Sequence, residues 1–78
     1  MVTWQIRFKL ARVFSGISQE KLSQQMGGVG RSTIAQWESG ATKHAEAKHF
    51  LTACRILEAN PYYIMFGKNG DKICQTLK

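Results

Sequence analysis

Three glycines in four residues, Gly27-Gly28-Val29-Gly30, place the tightest constraint on how this chain folds. Glycine costs about 1 kcal/mol relative to alanine inside a helix, so such a run must be a turn. Apolar residues recur at helical spacing on both sides of it. Leu22 and Met26 stand four apart before the turn, and Ile34 and Trp37 three apart after it. The chain therefore reads here as two short helices joined by a turn. The first runs from about Gln19 to Met26 and the second from near Arg31 to a stop at Gly40.

The flanking segments read the same way. Residues Thr3 to Ser15 place Ile6, Leu10, Val13 and Phe14 on one stripe, with Arg7, Lys9 and Arg12 elsewhere on the wheel. This gives a first helix that Gly16 is placed to stop. Ser18 offers an N-cap hydroxyl to the second helix, with Lys21 where a reciprocal capping box would have Glu or Gln. A fourth helix, roughly Ala45 to Glu58, is marked by Phe50, Ala53, Cys54 and Leu57 at i, i+3, i+4 and i+7. Asn60-Pro61 restarts the chain as an N-cap followed by proline at the first helical position. A short apolar helix, Pro61 to Phe66, then ends at Gly67. No run of alternating apolar residues argues for a sheet. The fold class expected is all-α, a compact bundle of about five short helices over residues 1–67. Residues 68–78 form a C-terminal tail, read as a tail, an extra turn or an interface strand, with a role in dimerisation as one expectation.

A chain of 78 residues with 44% apolar side chains makes one domain with a core that needs no staples. Eleven basic groups against five acidic ones give a formal charge of +6, and a polyanionic partner is the first expectation. The excess is spread through the body: residues 1–40 carry five basic and two acidic groups, and residues 41–78 six and three. Cys54 and Cys74 are too few for a disulfide framework. The apolar runs are far short of a bilayer span and no signal peptide is evident, so a cytoplasmic, DNA-associated protein with no membrane partner is expected.

Two helices and a glycine-containing turn are common in α-proteins, and the residue pattern makes the case sharper. A helix-turn-helix needs an apolar frame so that its second helix crosses the first and projects an outer face. Leu22, Met26, Val29, Ile34 and Trp37 supply the frame, and Ser23 suits the close approach of the two helices. What remains outward is Arg31, Ser32, Thr33, Ala35, Gln36 and Ser39, which are short or hydrogen-bonding groups with no large apolar side chain. Four stretches in register then resemble the phage repressor and Cro type of helix-turn-helix regulators. They are Phe8-Lys9-Leu10-Ala11-Arg12; Gly16-Ile17-Ser18-Gln19-Glu20-Lys21-Leu22; Arg31-Ser32-Thr33-Ile34-Ala35-Gln36-Trp37-Glu38-Ser39-Gly40; and Asn60-Pro61-Tyr62-Tyr63-Ile64-Met65-Phe66-Gly67.

That resemblance implies roles. Arg31, Ser32 and Gln36, with Thr33 beside them, would read base edges in the major groove. Arg suits guanine O6 and N7, and Gln suits adenine N6 and N7. Gln19 would touch a phosphate and brace a side chain of the recognition helix. Ser39 and Lys43 would meet the DNA backbone. Arg12 and Glu38 hold the positions that pair across helices 1 and 3 in this family. The chain departs from the pattern by one extra residue in the Gly27–Gly30 turn, which leaves the register of helix 3 open by a residue. The loop from Gly40 to Phe50 is also one longer than usual and lacks a proline often found there.

Other readings weigh less. His44, His49 and Cys54 recur every five residues, about 140° apart at 100° per residue, so with Cys74 they would not converge on one metal ion. Cys54 reads instead as a small buried apolar residue. Lys48, Lys68 and Lys72 read as general surface charge. No nucleophile elbow, phosphate loop or dinucleotide fingerprint is present, so neither an enzyme nor a small-molecule substrate, cofactor or metal is expected. The function expected is a DNA-binding transcriptional regulator of repressor or Cro type. It would act as a homodimer on a palindromic operator, with helix 5 and the tail as the dimer surface. Three alternatives stand beside it: an antitoxin gripping a toxin, an adaptor that uses the same face for protein binding, and a non-specific nucleoid protein.

Overall fold

The structure is a computed structural model that describes residues 3–67. Five helices follow one another: α1 (Trp4–Phe14), α2 (Gln19–Met26), α3 (Arg31–Ser39), α4 (Ala47–Leu57) and α5 (Pro61–Phe66). No strand occurs among the described residues. The expected tail, with Cys74, Lys68 and Lys72, lies outside them.

Local chemistry sets most of the boundaries. The amide of Lys21 donates to Ser18 Oγ at the start of α2, and the amides of Tyr62 and Tyr63 donate to Asn60 Oδ1 at the start of α5. Each cap satisfies donors that the first helical turn leaves unpaired. α2 ends on Gly27 at φ 61° and α3 on Gly40 at φ 85°, left-handed conformations natural to glycine. α4 instead ends on Glu58 at φ 54°, the non-glycine residue with positive φ among the described residues. There the amide of Ala59 returns to the Cys54 carbonyl at 2.9 Å, the closing bond of a Schellman-type cap.

The fourth helix is shorter at its start than its sequence implies. It begins at Ala47 rather than Ala45. The segment before it is held as a loop by two donors from α1. Trp4 Nε1 donates to the Lys43 carbonyl at 3.1 Å and Gln5 Nε2 to that of Thr42 at 3.3 Å. Ala45 packs against the core from that loop.

The core draws on every helix: Phe8 from α1, Leu22 and Met26 from α2, Ile34 and Trp37 from α3, Phe50, Ala53, Cys54 and Leu57 from α4, and Ile64 from α5. Val29, from the turn, completes it. The apolar frame of the two central helices is buried as its spacing predicts. The first helix is different. Its stripe of Ile6, Leu10, Val13 and Phe14 faces solvent, and the side it buries carries Trp4, Phe8 and Ala11. Those three also recur at helical spacing, i, i+4 and i+7. The aromatic side wins because rings bury more area and gain from edge-to-face contacts. Phe8 meets Trp37 at 5.4 Å between centroids and Trp4 meets Phe50 at 5.8 Å, both nearly perpendicular. This cluster ties α1, α3 and α4 together.

Candidate nucleic-acid interface

The turn between α2 and α3 absorbs its extra residue without disturbing the frame. Gly27 and Gly28 adopt φ of 61° and 114°, conformations that other L-residues resist, and this tightens the chain enough for Val29 to reach the core. Gly30 then stands as the N-cap of α3, in an extended conformation, with no side chain to cap the helix. The helix begins at Arg31. The register that the sequence leaves open is thereby fixed.

With Ile34 and Trp37 inward, the rest of α3 is ordered by angle. At about 100° per residue, Ser32, Gln36 and Ser39 fall within about 60° of one another, opposite the two core residues. All three are exposed. Thr33 and Ala35 lie half-buried to either side. Arg31 is exposed but sits on the flank, on the same side of the helix as Glu38, about 20° from it and two turns earlier. It helps to line a polar recess with Arg12, Ser18, Gln19 and Glu20 at the start of α2. The face opposite the core is thus narrow and uncharged, and Arg31 borders it rather than crowning it. Ser39 Oγ accepts from the amide of Ala41 and donates to the Gln36 carbonyl, so it is also part of the helix end. Lys43 is exposed in the following loop, with its backbone carbonyl fixed by Trp4.

Arg12 and Glu38 hold the helix-turn-helix to α1. Arg12 Nε and Nη2 donate to the two carboxylate oxygens of Glu38 at 2.6 and 3.0 Å, a bidentate pair. Its Nη1 donates to the carbonyl of Ile17 at 2.8 Å, bracing the α1–α2 corner. The hydrogen bond to Glu38 holds the Arg12 guanidinium above its ordinary pKa against the opposing effect of burial. Gln19 Nε2 donates to Glu38 Oε1 at 3.1 Å. Gln19 therefore braces α3 through Glu38, which faces inward, and not through one of the exposed residues. Three elements meet on one carboxylate.

Three side chains outside the sequence-predicted set also contribute. Trp4 and Gln5 position the loop that carries Lys43, and the spacing of Trp4, Phe8 and Ala11 was the signal available for them. Arg7 donates to the carbonyls of Ile64 and Met65 at 2.7 and 2.9 Å, capping the end of α5 from α1. That contact spans 57 residues and has no local signal.

A family model described as a helix-turn-helix domain matches residues 6–70, most of the chain. The chain belongs to the helix-turn-helix domain family, of phage-repressor type. No curated protein sequence matches it. Among solved structures it is similar to the P22 c2 repressor protein in complex with a synthetic operator. The TM-score is 0.78 at 25% identity, over 87% of this chain and 100% of that one. The five-helix fold is thus that of a repressor DNA-binding domain.

Proposed function

We propose that this protein is a sequence-specific DNA-binding regulator that inserts α3 into the major groove of an operator. The observation that carries the reading is the likeness to a repressor bound to its operator, over nearly the whole of both chains. The surface chemistry fits it. The outward strip of α3 offers a hydroxyl at Ser32 and an amide at Gln36, groups that read base edges without bringing an apolar patch into solvent. Thr33 lies beside them to meet a thymine methyl or a phosphate. Arg31 reaches toward guanine from the flank of the same helix.

Phosphate contacts fall to the residues around this strip. Gln19 and the α2 N-terminus present donors where a helix dipole favours an anion. Ser39 and Lys43 serve the other end of α3. One recognition helix reads few base pairs, so the protein acts as a homodimer on half-sites about one helical turn apart. α5 supplies the contact, with Tyr63 and Phe66 exposed beside an apolar groove shared with Leu51 of α4. The regulation is of repressor or Cro type, by occupation of the operator.

A random-site selection on the purified protein tests this directly. A selected palindrome with two half-sites is expected. Gln36→Ala should then cost about 1–3 kcal/mol on that site and relax the preference at one or two positions. Recovery of no preferred sequence, or an equal loss on selected and random DNA, would remove base reading by α3.

A further inference from the structure

The loop that follows α3, residues 40–46, contains no helix or strand, yet it is tied from two sides. Toward α3, the amide of Thr42 donates to the Gln36 carbonyl at 3.4 Å, and Ser39 Oγ donates to the same oxygen. Toward α1, Gln5 Nε2 holds the Thr42 carbonyl at 3.3 Å and Trp4 Nε1 holds that of Lys43 at 3.1 Å. These two bonds span 37 and 39 residues of chain, and they fix adjacent peptides. Lys43 and His44 stay exposed.

Nothing local requires the ties to α1, because a surface loop can satisfy its carbonyls with water. The Trp4 ring is held independently of its N–H. It stands edge-on to Phe50 at 5.8 Å and lies at 63° to Trp37 of α3 at 6.4 Å. The core therefore aims the indole N–H, and its target is the backbone of the residue assigned above to a phosphate. The direction of the bond matters too. Across a planar trans peptide, a carbonyl turned toward α1 turns the next amide the other way. The amides of Lys43 and His44 thus face away from α1, and neither donates to another group among the described residues. The carbonyls that would repel a phosphate are turned in, and donors are left on the free side.

We propose that Trp4 and Gln5 are positioning residues for DNA binding, which hold the Thr42–Lys43 backbone in fixed register with Gln36. The proposal rests on the reading of α3 as the base-reading helix. Phosphate contacts set the register and orientation of a protein on the duplex, and base contacts specify the sequence. Lys43 stands on a loop tied to the carbonyl of Gln36, so a phosphate held at Lys43 places the Gln36 side chain against base edges. Released from α1, the loop keeps its charge but no longer transmits that placement. The clamp therefore serves discrimination between sequences more than general affinity.

Trp4→Phe keeps the ring contacts and removes the N–H, and Gln5→Met keeps the length and removes the amide. Gln5 lies outside the aromatic cluster, so Gln5→Met carries the test if Trp4→Phe lowers the Tm too far. Each is made alone and with Lys43→Ala in the full chain. Affinity is measured below the Tm, on the selected duplex and on a random one, across a range of salt. W4F should weaken the selected duplex about three- to tenfold, the span of one net hydrogen bond, with a smaller loss for Q5M. The random duplex should lose under about twofold and the salt slope should hold, since Lys43 keeps its charge. With Lys43→Ala present, W4F should cost under about twofold on the selected duplex, the mark of action through that residue. Equal losses with and without Lys43 would make Trp4 a DNA contact in its own right or a general support, and would overturn the proposal. Variants that discriminate as well as a discriminating wild type would remove the clamp alone. A wild type that prefers no selected duplex would remove base reading by α3, and the clamp with it.

Discussion

Removing Arg12 leaves the Glu38 carboxylate in place with much of its compensation gone, and the cost of that can be worked from the geometry. The Glu38 side chain is 4% exposed, and Arg12 supplies two of the three donors that meet it. An Arg12→Leu variant keeps the aliphatic packing but leaves only the Gln19 amide on Glu38, and also frees the Ile17 carbonyl. Breaking one side of a buried pair costs about 3–5 kcal/mol, against at most about 1 kcal/mol for an exposed pair. A domain of this size has roughly 3–10 kcal/mol in all, so the variant should be near the edge of folding. At about 4–8 °C per kcal/mol its Tm should fall by roughly 12–40 °C. Arg12→Leu combined with Glu38→Leu should be less damaging than Arg12→Leu alone, since no charge is left stranded. Urea and thermal unfolding followed at 222 nm supply all four corners of the cycle. Additive losses, or an Arg12→Leu cost under 1 kcal/mol, would refute the account of this pair as the joint between α1 and the helix-turn-helix.

Three further expectations are simpler. Lys43→Ala should weaken binding to selected and random DNA alike and lower the salt-dependence slope by about one unit, read from a titration of affinity against salt. Glu58→Gly should raise stability by about 0.5–1 kcal/mol, because φ 54° strains a residue with a Cβ and an acidic group opposes the dipole at the end of α4; an unchanged or lower Tm would contradict this. In a Cys74→Ser background, burial holds the Cys54 thiol at about 12 against an ordinary 9.0. The unfolded thiol ionises first, so stability should fall as pH rises from about 9 toward about 12, by at most 1.36 kcal/mol per unit. Cys54→Ala should remove that part of the slope.

The helix-turn-helix was legible because each of its constraints is local. Leu22 to Met26 and Ile34 to Trp37 declare their buried side by spacing, and the glycines between them can only be a turn. Ser18 and Asn60-Pro61 mark helix starts through bonds to amides two or three residues on, so α2 and α5 are bounded in the sequence as they are in the fold. The exposed strip of α3 follows by subtraction once Ile34 and Trp37 point inward.

What the tertiary structure alone decided is where several signals compete or where the partner is remote. α1 carries two apolar stripes, and only the presence of Trp37 and Phe50 opposite Trp4 and Phe8 makes the aromatic one the inner one. The start of α4 is delayed because Trp4 and Gln5 hold carbonyls about forty residues away. Gln19 braces Glu38 rather than an exposed side chain of α3, a choice that depends on how α1 and α3 cross around that carboxylate. Local spacing and caps thus determine which helices form, because their energies come from neighbours within a turn. Which face each helix buries, and which side chains are left for a partner, depends on the area and donors that the other helices bring.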